Sequence, residues 1–102
     1  MLTTEKTNNT ITVRPEGNIT ASNAESVRQE LLDLVQAGDC NLIIDLNNIE
    51  MIDSKGLAIF VVCHKYLSER DKELTVVTDN EDFRELFHVM RLDQHFTVKA
   101  SQ

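Results

Sequence analysis

MIDSKGLAIFVVCHKYLSER, residues 51–70, decides the fold, because its middle can be read two ways. Residues 57–63, LAIFVVC, hold enough β-branched side chains to pass for a buried strand on propensity alone. Two features favour a helix. The segment runs on through HKYLSER without a turn signal, giving about 16 residues where strands average about 5–6. Leu57, Phe60, Val61, His64 and Leu67 also recur at spacings that place them on one helical face.

With 54–68 helical, the flanking segments fall into an alternating order. Residues 10–14, TITVR, alternate polar and apolar side chains as a half-buried strand does, after a polar lead-in over about residues 1–8. Pro15 and Gly17 punctuate that strand, and PEGN is good hairpin-turn material, so a second strand is expected through Ile19. Ser22 and Glu25 have the spacing of a capping box; Ala24, Val27, Leu31, Leu34 and Val35 then form an apolar stripe, with Gly38 able to end the helix in a left-handed conformation. LIIDL (42–46) is nearly continuously apolar, which predicts a central strand covered on both faces. LTVV (74–77) reads as another inner strand and FTV (96–98) as an edge. Between them, Thr78 and Glu81 repeat the capping-box spacing ahead of a stripe of Phe83, Leu86, Phe87 and Met90. The order β, β, α, β, α, β, α, β implies one α/β domain over residues 1–102, with a mixed sheet of four to five strands and three or more helices.

Composition narrows the function. Seventeen acidic against ten basic residues give a formal charge of −7, a field that repels nucleic-acid phosphates and anionic lipid headgroups. A protein partner fits better, with no nucleic acid and no membrane. No apolar stretch approaches the roughly 20 residues of a membrane span, and the polar start MLTTEKTNNT lacks the order of a signal peptide, so a cytoplasmic location is expected. Cys40 and Cys63 lack metal-ligand spacing and read as reduced, packed thiols. His64, His88 and His95 form no ligand pair, so no metal or other cofactor is expected.

The junction before the decisive helix carries Asp53, Ser54, Lys55 and Gly56. Local chemistry alone is satisfied by a structural role in which Asp53 or Ser54 caps the helix and Gly56 packs closely. The wider pattern adds more. Residues 44–57, IDLNNIEMIDSKGL, resemble an aliphatic strand, a loop and a Asp-Ser-x-Gly-Leu signature, and residues 17–24, GNITASNA, resemble a matching second strand and helix entry. Together with the element order, these make the chain resemble single-domain anti-sigma factor antagonists of the STAS domain family, over nearly its whole length.

That resemblance implies a binding module without catalytic residues of its own. Ser54 would be phosphorylated by an anti-sigma factor that is itself a serine kinase with a histidine-kinase-like ATPase fold. The unphosphorylated form would bind this kinase, and a PPM-type serine phosphatase would restore it. The implied partner surface comprises Asp53, Ser54, Lys55 and Gly56 with Asn18, Thr20, Ser22 and Asn23 of the 18–23 loop, on a protein expected to be a monomer when free. Lys55 stands where the family often has Ser or Thr, and Thr20 where many members have Asp. The alternative within the family is a scaffold or small-ligand sensor subunit without a sigma-factor output.

Other chemistries find less support. A receiver domain needs clustered acidic residues after its first strand, where this chain has TVRPEG (12–17). No G-x-S-x-G precedes a Ser, Asp and His set for nucleophilic hydrolysis. Asp45 reads as a paired strand-end carboxylate, and residues 65–72 as the solvated end of a helix.

Overall fold

Asn8 adopts a left-handed φ of 53°, which Asn tolerates better than most residues, and so turns Leu2–Thr7 (β1) back onto Thr10–Pro15 (β2). The antiparallel register runs from Thr7 opposite Thr10 to Leu2 opposite Pro15. This corrects the expectation of a polar lead-in over residues 1–8 and a hairpin at PEGN. The first strand gave no hydrophobic signal because it lies at a sheet edge, with Leu2 half-buried and residues 3–7 exposed. Ile19 makes an isolated parallel bridge with Ile52 instead of a hairpin strand.

The computed structural model, which describes residues 2–101, continues through Ala24–Ala37 (α1), Asn41–Asp45 (β3), Ser54–Ser68 (α2), Leu74–Val77 (β4), Glu81–Val89 (α3) and Thr97–Lys99 (β5). The five strands lie in chain order, β2 to β5 parallel and β1 antiparallel, so the sheet is mixed as expected. The helical reading of residues 54–68 holds: Leu57, Phe60 and Leu67 are buried, with Ile59 and Cys63 beside them.

Register places Val13, Ile44 and Val76 in one row, and Leu42 beside Leu74 on the same face. These side chains join residues of all three helices in a single core. Phe60, Phe87 and Phe96 link α2, α3 and the entry to β5, with successive ring centroids 6.2 Å apart. The opposite face carries the row Thr12, Ile43 and Thr75, half-buried, and Ile43 lies outside the core cluster. The expected two-sided cover of residues 42–46 is therefore corrected. Asn41 and Asp45 flank Ile43 on that face, while Leu42, Ile44 and Leu46 are buried in the core.

The helix ends also differ from expectation. Asn23 precedes α1, and its Oδ1 accepts from the Thr20 amide at 3.0 Å, so no Ser22–Glu25 capping box forms. Asn80 caps α3 through the amides of Asp82 and Phe83, while Thr78 Oγ1 accepts from the Asn80 amide, which replaces the Thr78–Glu81 box. Gly38 is extended, at φ −137° and ψ 166°, and not left-handed. Asn and Ser share the chemistry of these caps, and spacing alone does not select between adjacent candidates.

Gly56 is the glycine that space requires. A Cβ there would lie 2.6 Å from Ile52 Cγ1 and 3.0 Å from Ile19 Cγ2. The contact joins α2 to the Ile19–Ile52 bridge beneath it. Gly56→Ala is expected to lower unfolding free energy by about 1–2 kcal/mol, as overpacking does where side chains can partly yield. Urea denaturation checks it.

Candidate functional site

The site is built on a carboxylate. Asp53, extended at φ −105° and ψ −176°, precedes the first turn of α2, and its Oδ1 accepts from the amides of Lys55 at 3.1 Å and Gly56 at 3.2 Å. Its Oδ2 accepts from the Ala21 amide at 3.0 Å, tying the helix entry to the loop between β2 and α1. Asn18 completes the tie, with Oδ1 accepting from the amides of Glu50 at 2.8 Å and Met51 at 3.0 Å. The amide of Ile19 donates to the Met51 carbonyl, and the Asp53 amide to the Ile19 carbonyl. Two loops distant in sequence are thus sewn into one edge of the fold.

That edge brings the sequence-derived residues together. Ser54 is the first residue of α2 and is exposed, with Lys55 exposed beside it and Gly56 buried behind. Because Asp53 satisfies the first-turn amides, the Ser54 hydroxyl has no capping duty. Across the tie, Thr20 Oγ1 and Ser22 Oγ are 3.0 Å apart, and Asn23 Nδ2 donates to the Asn18 carbonyl at 2.8 Å. The open choice of cap falls to Asp53. Met51 was not singled out in the sequence, yet it is 56% exposed two residues before Asp53. No spacing in the sequence marks it, because the bridge of Ile52 beside it forms with a distant residue, Ile19.

Asp45 and the histidines make other contacts. Asp45 Oδ2 accepts from Arg14 Nε at 3.3 Å, and its Oδ1 from the Asn47 amide at 3.0 Å, as a paired strand-end carboxylate should. His64 and His95 have ring centroids 5.9 Å apart. Burial, then the neighbouring His95, pushes the His64 pKa down. Among the described residues, no group of three His, Cys, Asp or Glu is placed to hold a metal, and no helix is long and apolar enough to cross a membrane.

Cys40 and Cys63 are free and buried. Burial pushes the Cys63 thiol up to about 12, partly offset by the charge of Arg28. A thiolate-selective reagent at pH 8 is therefore expected to spare Cys63 in the native protein and to label it at once in denaturant. Peptide mapping after a timed pulse reads the difference.

A family model described as STAS domain matches residues 1–102. BtrV of Bordetella bronchiseptica, a candidate anti-sigma factor antagonist, is 27% identical over 101 residues, covering 99% of this chain and 87% of BtrV. The anti-sigma-B factor antagonist of Staphylococcus aureus is 28% identical over 80 residues, 78% of this chain and 74% of that protein. The Bacillus cell fate determinant SpoIIAA, solved in its phosphorylated form, superposes with a TM-score of 0.75 at 16% identity, covering 96% of this chain and 90% of SpoIIAA. At that identity the likeness is one of fold.

Proposed function

Since the chain belongs to the STAS domain family, we propose that it acts as an anti-sigma factor antagonist, a binding module without catalysis of its own, with Ser54 as its phosphoacceptor. The observation that carries this reading is the exposed Ser54 hydroxyl at the first position of α2, released from capping by Asp53. The names of the Bordetella and Staphylococcus relatives support the antagonist role. SpoIIAA, which shares this fold, is solved in a phosphorylated form, and that supports the reading.

The partner is a serine kinase with a histidine-kinase-like ATPase fold, serving as the anti-sigma factor. It transfers the γ-phosphoryl of ATP to Ser54 Oγ; the hydroxyl proton leaves to a base on the kinase, and ADP is the leaving group. A PPM-type phosphatase hydrolyses the ester and returns the binding form. The physics of the position suits such a cycle. Phosphorylation adds about −1.5 to −2 charges, and the N-terminus of α2 offers that charge a favourable dipole within the free protein. In a docked interface the same group must be stripped of water beside Asp53, which opposes binding. The partner surface is the edge formed by Asp53, Ser54, Lys55 and Gly56 with Asn18, Thr20, Ser22 and Asn23.

The test is release by nucleotide. The kinase complex of the wild-type protein is expected to dissociate when Mg-ATP is added, and the complex of Ser54→Ala to persist. Size-exclusion chromatography separates the two outcomes, and equal release of both proteins would refute the reading.

A further inference from the structure

Beside Ser54, a groove of about 240 Å3 opens between the starts of α1 and α2. Ala21, Ala24 and Ala58 line it with short side chains, and two cations, Arg28 and Lys55, share its wall. Glu25 lines it too, its Oε2 3.3 Å from Arg28 Nη1 one helical turn away, and the Asp53 carboxylate accepts from the amides of Ala21 and Lys55. Lys55 has no ion-pair partner among the described residues. Both helices bring their N-termini to this concavity. The first turn of α1 receives no side-chain cap, because Asn23 turns its oxygen to Thr20. The uncapped start of α1 adds its dipole to the two cations, on a chain whose overall charge is −7, while the first-turn amides of α2 are taken by Asp53. The volume is below the roughly 300–1,000 Å3 of pockets for cofactors and other small molecules, and suits one or two side chains.

We propose that this groove is the docking site for an acidic side chain of the partner kinase, an Asp or Glu whose methylenes rest on the alanines while its carboxylate meets Lys55 and Arg28. The proposal rests on the reading of Ser54 as the kinase's target and extends it. The hydroxyl reports phosphorylation state, and the adjoining groove selects which kinase engages. Lys55 leaves an unpaired cation at the groove of a net acidic chain, so a partner with an acidic finger is favoured there, and a generally acidic protein is repelled elsewhere.

The experiment is calorimetric titration of the full-length antagonist with its recombinant kinase, without ATP, at low and at moderate salt. Lys55→Glu and Arg28→Glu are each expected to weaken binding about fivefold, and together about twentyfold, with a flatter salt dependence. Glu25→Gln frees Arg28 and is expected to tighten binding. Lys99→Glu, on β5, serves as the distant control and should change nothing. Unchanged affinity of the double reversal, with Ser54 still fully phosphorylated by intact mass, overturns the groove and leaves the Ser54 reading standing. A wild-type protein that neither binds the kinase nor gains phosphate overturns both. Inorganic phosphate alone is titrated in parallel. Competition by it with the kinase at the groove would assign the site to a free anion and overturn the docking proposal.

Discussion

Ser54→Asp is expected to weaken kinase binding by about 2 kcal/mol or more, roughly thirtyfold, at the low end of the cost of a desolvated, unpaired charge in an interface. Its unfolding free energy should stay within about 0.5 kcal/mol of wild type, the usual range for an exposed substitution. The two halves belong together. Ser54 is exposed and its hydroxyl makes no capping bond, so a carboxylate there breaks nothing inside the fold and even gains from the dipole of α2. The same carboxylate in a complex is desolvated beside Asp53. A single charge underestimates a phosphoryl group of −1.5 to −2, so the phosphorylated protein should bind more weakly still. Calorimetric affinity and urea denaturation of the same preparations measure both halves.

Asp53→Ala should have the opposite signature, a large loss of folding stability. One side chain accepts from the amides of Lys55, Gly56 and Ala21, so its removal uncaps α2 and unties the 18–23 loop together. A helix cap contributes about 1 kcal/mol and a hydrogen bond to a charged group about 1.5–3, which makes a loss of about 3 kcal/mol the expected result. Asp53→Asn keeps an oxygen for the helix and sets an amide nitrogen against the Ala21 N–H, so it should lose less stability and most of the loop tie. Hydrogen exchange at Ala21 and at residues 54–56 separates the two bonds. If Asp53→Ala unfolds at the wild-type urea concentration, the carboxylate does not hold this edge together.

How much of this was legible in the sequence depended on whether a residue's role was local. Leu57, Phe60 and Leu67 announced a helix because burial of one face imposes a period on the chain. The Ser54 edge was legible in part: a cap was expected from Asp53 or Ser54, and the geometry gives it to Asp53. β1 was not. An edge strand exposes nearly every side chain, and a hydrophobic pattern cannot mark what is not buried. The helix starts departed from their expected boxes because Asn23 Oδ1 is taken by the nearby Thr20 amide and caps nothing, while Asn80 caps α3 with its own amide held by Thr78 Oγ1. Ile43 looked like a two-sided core residue by sequence, but its neighbours across the sheet are Thr12 and Thr75, a fact of register. The groove was least legible of all. Arg28 and Lys55 are far apart in the chain, and only the packing of α1 on α2 sets them on one wall.

The central claim is that one hydroxyl, at residue 54, receives the phosphoryl group. Intact-mass spectrometry after incubation with the kinase and Mg-ATP tests it most directly, with fragmentation to place the modification. The account predicts a single phosphate on the wild-type protein, located on Ser54, and none on Ser54→Ala. A phosphate found on Ser54→Ala, or placed on another residue of the wild-type chain, would contradict it.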